Sequence, residues 1–236
     1  MRTSSGAQLD FARVVALVAS LALGAIFWDS PVLWPLKLLV VMMHESGHAL
    51  ATLFVGGRVD RVLLSANQAG ACLSWVPEGV WAKVVVYSAG YVGSAVAGAG
   101  MMLATFRFRL RRWVLGTASA WLAVMAVFYA GDLFTLAFCF GTAVVLALGA
   151  RFLPSDAVDV LNLFIAAFSA LYVVFDLRDD LWRSSARAVS DAALLAQFTW
   201  IPAFGWALLW SLFSLAILAF AGWQSVQRRR RPALAL

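Results

Sequence analysis

The sequence predicts an all-α polytopic membrane protein of about six to seven transmembrane helices, with one small β-hairpin. Three observations carry this. Hydrophobic residues make up 63% of the 236 residues and charged residues only 13%, far from the balance of a soluble domain. Several apolar runs approach the roughly 20 residues needed to cross a hydrocarbon core. Between the second and third runs, residues 58–76 change character to short, partly alternating segments rich in β-formers.

In chain order, a polar leader carrying Arg2 precedes a first span over Phe11 to Trp28. We read it as an anchor and not as a cleaved signal, because Ile26-Phe27-Trp28-Asp29 offers no small-residue cleavage site. Asp29-Ser30-Pro31 breaks the chain, with Pro31 suited to the first turn of the next helix. That second run, about Val32 to Val55, ends at Gly56-Gly57. Arg58 to Leu64 and Ala71 to Val76 then form the expected hairpin. Non-helical backbone at membrane depth must pair internally or line a protein cavity, so this hairpin belongs beside other spans or at the interface.

A third span covers Val80 to Phe106, where Gly90, Ser94 and Gly98 make a small-residue stripe that admits a close neighbour. A basic loop, Arg107 to Arg112, leads to two runs, Trp113 to Ala130 and Leu133 to Phe152, parted only by Gly131-Asp132. Pro154-Ser155-Asp156 opens the next helix, about Ala157 to Phe175. Ser190 or Asp191 is expected to cap a short helix, and the last span runs from about Pro202 to Trp223. A basic tail, 225–236, contains Arg228 to Arg231, and the whole chain reads as one membrane domain.

The net charge of +6 sits mostly in loops and tail. It reads as orientation in the bilayer and contact with anionic headgroups, and no stacking platform supports nucleic-acid binding. Cys72 and Cys139 are far apart and outside any CxxC pair, so both read as small apolar fillers.

The polar exception is Met43-His44-Glu45-Ser46-Gly47-His48-Ala49. On a helix, His44 and His48 are one turn apart and project from one face, so their ring nitrogens can converge on one metal ion. Zinc suits this pattern: about three protein ligands leave room for a water, beside which Glu45 stands as general base. These are the only two histidines in the chain. Ionisable groups cost roughly 2.5 kcal/mol or more each near the bilayer centre, so three within five residues demand a compensating partner. For the third ligand Asp176 stands first, as the first acid after a long apolar run, followed by Asp180, Asp191 and Asp132.

His44-Glu45-Ser46-Gly47-His48-Ala49 in a membrane helix, Gly56-Gly57, the hairpin and Ala89-Gly90-Tyr91-Val92-Gly93 together resemble the site-2 protease family of intramembrane zinc metalloproteases, closest to its compact bacterial branch. That branch also tends to carry aspartate-rich and Ser-Asp-Ala stretches like Phe175 to Leu181 and Ser190 to Ala192. The resemblance implies zinc held by His44, His48 and an aspartate, with Glu45 as base. It further implies membrane-protein or peptide substrates cut in or near the bilayer, and residence in a bacterial inner membrane. The family's Leu-Asp-Gly motif is absent, and Gly90-Tyr91 stands where Gly-Pro is usual. A catalytically silent scaffold and a metal-ion transporter are the competing readings; the middle spans lack the polar ligands a transport path requires. Seven crossings and the positive-inside rule put the hairpin outside, whereas the resemblance puts it toward the cytoplasm.

Overall fold

A computed structural model describes residues 9–182 and 190–227, with the side chains of 177 and 179–182 left aside. Its elements are α1 (Phe11–Ile26), α2 (Trp34–Phe54), β1 (Arg58–Leu64), β2 (Gly70–Trp75), α3 (Val80–Met102), α4 (Arg111–Phe128), α5 (Leu133–Phe152), α6 (Ser155–Trp182), α7 (Asp191–Ala196) and α8 (Ala203–Val226). A π-helical turn, Leu103–Arg107, extends α3. Four stretches are long and apolar enough to cross a membrane: Val80–Arg107, Leu133–Phe152, Ser155–Asp176 and Ala203–Val226. Counting the bent pair α1 and α2 as one raises this to five. The expectation of six to seven treated α1, α2 and α4 as separate crossings. Arg111 and Arg112 in the first turn of α4 depress its hydropathy.

The break between α1 and α2 turns the chain by 117°. Ser30 caps the 3-10 turn Pro31–Leu33 there, and Trp28 pins the corner to α6, its ring 5.1 Å from Phe168 and 4.5 Å from Phe175. The Lys37 ammonium lies 4.5 Å from the Trp28 ring centroid, a cation–π contact that gives a buried lysine a partly compensating neighbour. At the far end of α2, Gly56 adopts φ +81° and the Gly57 amide donates to the Thr52 carbonyl at 2.8 Å. This left-handed glycine stop frees the chain to enter β1.

β1 and β2 form the expected antiparallel hairpin, with Val62 opposite Cys72 and Leu64 opposite Gly70. Its outer side is sealed along β1. The Val62 amide donates to the Tyr129 carbonyl at 2.6 Å, the Gly131 amide donates to the Val62 carbonyl at 2.9 Å, and the Leu64 amide donates to Thr135 Oγ1 at 2.8 Å.

The helix ends gather at two poles. At one, the Asp10 amide donates to the Val226 carbonyl, Arg13 donates to the Ser225 carbonyl and overlies Phe106, and Arg111 pairs with Asp159 at 3.2 Å. Arg112 donates to the Ala150 and Leu153 carbonyls. At the other lie the hairpin, the α4–α5 turn, the start of α2, where Trp34 donates to the Ala66 carbonyl, and the start of α3, where Lys83 overlies Phe198. Outward-facing Phe140, Val145 and Leu212 are exposed, as lipid-facing side chains are.

The small-residue stripe of α3 is a packing device at both ends. Gly98 faces Ala166 and Ser169 of α6, while Gly90 and Gly93 meet α2 at Gly47, whose own Cα leaves no room for a side chain against the Ala89 carbonyl. We expect Gly47→Ala to push α2 off α3 and lower stability by about 1–3 kcal/mol, the usual cost of overpacking. The check is the thermal midpoint of the detergent-purified protein.

Candidate metal centre

α2 is helical through the polar motif because its flanks are apolar and Ser46 satisfies its own hydroxyl by donating to the Met42 carbonyl at 2.7 Å. His44, Glu45, Ser46 and His48 are all buried. His48 Nδ1 lies 2.7 Å from the Val86 carbonyl of α3. A carbonyl only accepts, so Nδ1 carries the proton and Nε2 is left with a lone pair. That is the orientation in which a neighbour fixes a metal-ligating imidazole.

Gly90 makes the approach possible. A Cβ there would collide with His44 Cε1 and Nε2 and with His48 Nε2, so α3 can lie over the imidazole pair only with glycine at this position. The Tyr91 ring closes the other side of His44, edge-on with centroids 4.5 Å apart, and stacks on Trp210 at 5.4 Å.

The third group is Asp191. Its Oδ2 is 3.1 Å from both His44 Nε2 and His48 Nε2, and the two nitrogens are 3.0 Å apart. With Nε2 of His48 bare, one proton on His44 Nε2 or on Asp191 could serve only one of the three contacts well, whereas a single cation would serve all three. A tetrahedral zinc about 2.0–2.1 Å from each donor would set them about 3.3 Å apart, so the observed triangle fits that ion with a small expansion. His44, His48 and Asp191 are the one such group among the described residues.

The aspartate placed first from sequence does something else. Asp176, on α6, accepts a hydrogen bond from Tyr91 at 2.8 Å and another from Tyr172, and is not among the three converging groups. The correction has a local cause. Ser190 takes the cap of α7, accepting from the Ala193 amide, which releases Asp191 to reach the histidines. Asp132 is spent on its own helix, accepting from the Thr135 amide at 2.7 Å as the cap of α5. The side chain of Asp180 lies outside the described residues.

Glu45 faces the hairpin. A Cβ on Gly70 would come within 2.5 Å of its Oε1, so β2 passes directly beside the carboxylate. Cys72 follows on the same face; burial, with Glu45 and Asp191 nearby, pushes its thiol up to about 12, leaving it neutral. It and the buried Cys139 are free cysteines, as the filler reading expects.

The peptidase M50B-like family model matches residues 16–221, and the chain belongs to that family, the site-2 protease family. No curated protein and no solved structure matches it.

Tyr91 is the signal that sequence reasoning missed: it ties Asp176 to the wall of the site. Tyr91→Phe strips one donor from a buried carboxylate and is expected to cost about 1–3 kcal/mol. In an Asp176→Ala background the same change should cost much less, and a double-mutant cycle on thermal unfolding measures the difference.

Proposed function

We propose that this peptidase M50B-like chain is a zinc-dependent intramembrane metalloendopeptidase, hydrolysing peptide bonds of membrane-protein substrates within or near the bilayer. The observation that carries the reading is the convergence of His44, His48 and Asp191 with Glu45 beside them. Zinc held by those three groups would supply a Lewis acid for the scissile carbonyl and a water of lowered pKa. The residues of the chain do the rest. Glu45, the residue after the first histidine, takes the proton of the attacking water and delivers it to the leaving nitrogen. The Val86 carbonyl and the Tyr91 ring hold the imidazoles in place while this happens.

A helical peptide bond has its carbonyl tied into the helix, so a substrate must be drawn out before it can be cut. β2 supports that step. Because Val62 and Leu64 turn their amides away from β2 toward the α4–α5 region, their partners Cys72 and Gly70 turn theirs away from β1 as well. The outer edge of β2 therefore presents backbone donors and acceptors to an incoming strand, alongside the carboxylate of Glu45.

Two experiments test this reading. Elemental analysis of purified protein should find about one zinc per chain, as a three-ligand site with an open position requires. Zinc should be lost in His48→Ala and Asp191→Ala and kept in Asp176→Asn and Glu45→Gln, with Glu45→Gln losing turnover. Zinc kept in Asp191→Ala would overturn the ligand assignment. Separately, Cys72→Pro removes an outward-facing amide that the hairpin itself does not use and should impair cleavage with zinc intact. Ala71→Pro breaks the hairpin and should reduce stability as well. Unimpaired cleavage by Cys72→Pro would remove strand addition from the mechanism.

A further inference from the structure

Most hydroxyl groups around the metal centre are already engaged. Ser46 donates to the Met42 carbonyl, Tyr91 and Tyr172 donate to Asp176, and Ser88 accepts from the Trp210 indole. Tyr87 is the exception. Its side chain is half-buried, and its hydroxyl makes no hydrogen bond among the described residues.

α3 brings this tyrosine to the site. Val86, whose carbonyl meets His48 Nδ1, is its neighbour in the chain. Gly90 and Tyr91, which lie against the imidazoles, follow one turn later. At about 3.6 residues per turn the Cα–Cβ direction of residue 87 falls between those of residues 90 and 91, so Tyr87 stands on the same face of α3. Helical side chains lean toward the N-terminus, which carries the ring along α7. Tyr87 packs on the apolar cluster that holds Ala192 and Leu195, and one turn earlier Lys83 overlies Phe198, just past the end of α7. α7 begins with Asp191, whose carboxylate is the one charged group among the described residues that acts on the Tyr87 hydroxyl.

The donor triangle is most open on this side. The Asp191 side chain is 16% exposed, against 9% for each histidine. Glu45 occupies the other side, beneath β2 at Gly70. A peptide carbonyl seated on the triangle has a carboxylate toward the hairpin and a phenol toward α3 and α7.

We propose that Tyr87 is a catalytic residue: its hydroxyl donates a hydrogen bond to the oxygen of the scissile carbonyl as water adds to the carbon and negative charge collects on that oxygen. The inference rests on the peptidase reading. A phenol keeps its proton at neutral pH, so Tyr87 donates without giving the proton up, and Glu45 still handles the proton of the water. Because that charge develops only in the transition state, the hydrogen bond strengthens there and raises kcat, with little effect on KM. A hydroxyl spent on Asp191 instead would steady a ligand and be felt as metal affinity.

The test variant is Tyr87→Phe, which keeps the ring and its packing on α7 and removes one oxygen. The probe is an apolar peptide phosphinate, whose tetrahedral oxygens imitate the hydrated carbonyl, titrated by calorimetry into zinc-loaded full-length protein in detergent. Zinc affinity is measured beside it by competition with a chelator. Tyr87→Phe should bind the phosphinate about 10²-fold more weakly than wild type, the scale of losing one oxyanion donor, with zinc affinity within about twofold. On a peptide that wild type cleaves and Glu45→Gln does not, kcat should fall by about the same factor while KM stays within about twofold. Equal phosphinate binding by the two proteins would overturn the assignment. So would a loss of about tenfold or more in zinc affinity with phosphinate binding restored by excess zinc, since the hydroxyl would then be serving Asp191. A wild type that holds zinc and does not bind the phosphinate would overturn the peptidase reading itself, a result distinct from both.

Discussion

Everything in this molecule depends on how closely α2 and α3 can approach. Two histidines buried in an apolar bundle need hydrogen-bond partners and a counter-charge within reach, and both come across the α2–α3 contact or from elements packed on it. Gly47 lets the α3 backbone come down onto α2, and Gly90 lets it do so over the imidazoles themselves. Once that distance is set, the Val86 carbonyl reaches His48 Nδ1, and the Tyr91 ring falls against His44. Glycine at these positions is thus a requirement of the site, felt through packing.

The two aspartates show how local structure divides labour between identical groups. Asp176 arrives at the end of a long helix with two tyrosine hydroxyls waiting for it, and a carboxylate so satisfied has little reason to turn toward the histidines. Asp191 stands in the first turn of a six-residue helix whose cap is already filled by Ser190. Its oxygen meets no competing donor until it reaches the two Nε2 atoms.

Much of this was legible in sequence, and the limits have physical causes. Local signals were read correctly: the i, i+4 histidines, the glycine stop at Gly56, the two short strands, the Gly131-Asp132 turn and the apolar runs of α3, α5, α6 and α8 are all encoded within a few residues of where they act. Asp191 is 147 residues from His44, and nothing in its own neighbourhood distinguishes a ligand from a helix cap. Ranking Asp176 above it followed hydropathy, which reports where spans end and is silent about what they touch. The 117° bend between α1 and α2 was hidden for the same reason. The length and apolar character of α2 say nothing of its direction, and the Trp28 corner with its aromatic contacts to α6 sets the bend.

The hairpin is where these constraints meet. Backbone outside a helix is expensive at membrane depth unless its donors and acceptors are paired. β1 obeys that rule on both sides, with β2 on one and Tyr129, Gly131 and Thr135 on the other. β2 obeys it on one side only, since Cys72 and Gly70 turn their outward groups to no partner among the described residues. The cheap way to protect a two-stranded sheet would have been to seal both edges, and the fold seals the edge farther from Glu45. An unpaired edge kept beside a buried carboxylate and two histidines is tolerated only where water or another chain can reach it. The asymmetry of the hairpin therefore leaves the outward backbone groups of Cys72 and Gly70 available beside Glu45, which is what the proposed strand addition requires.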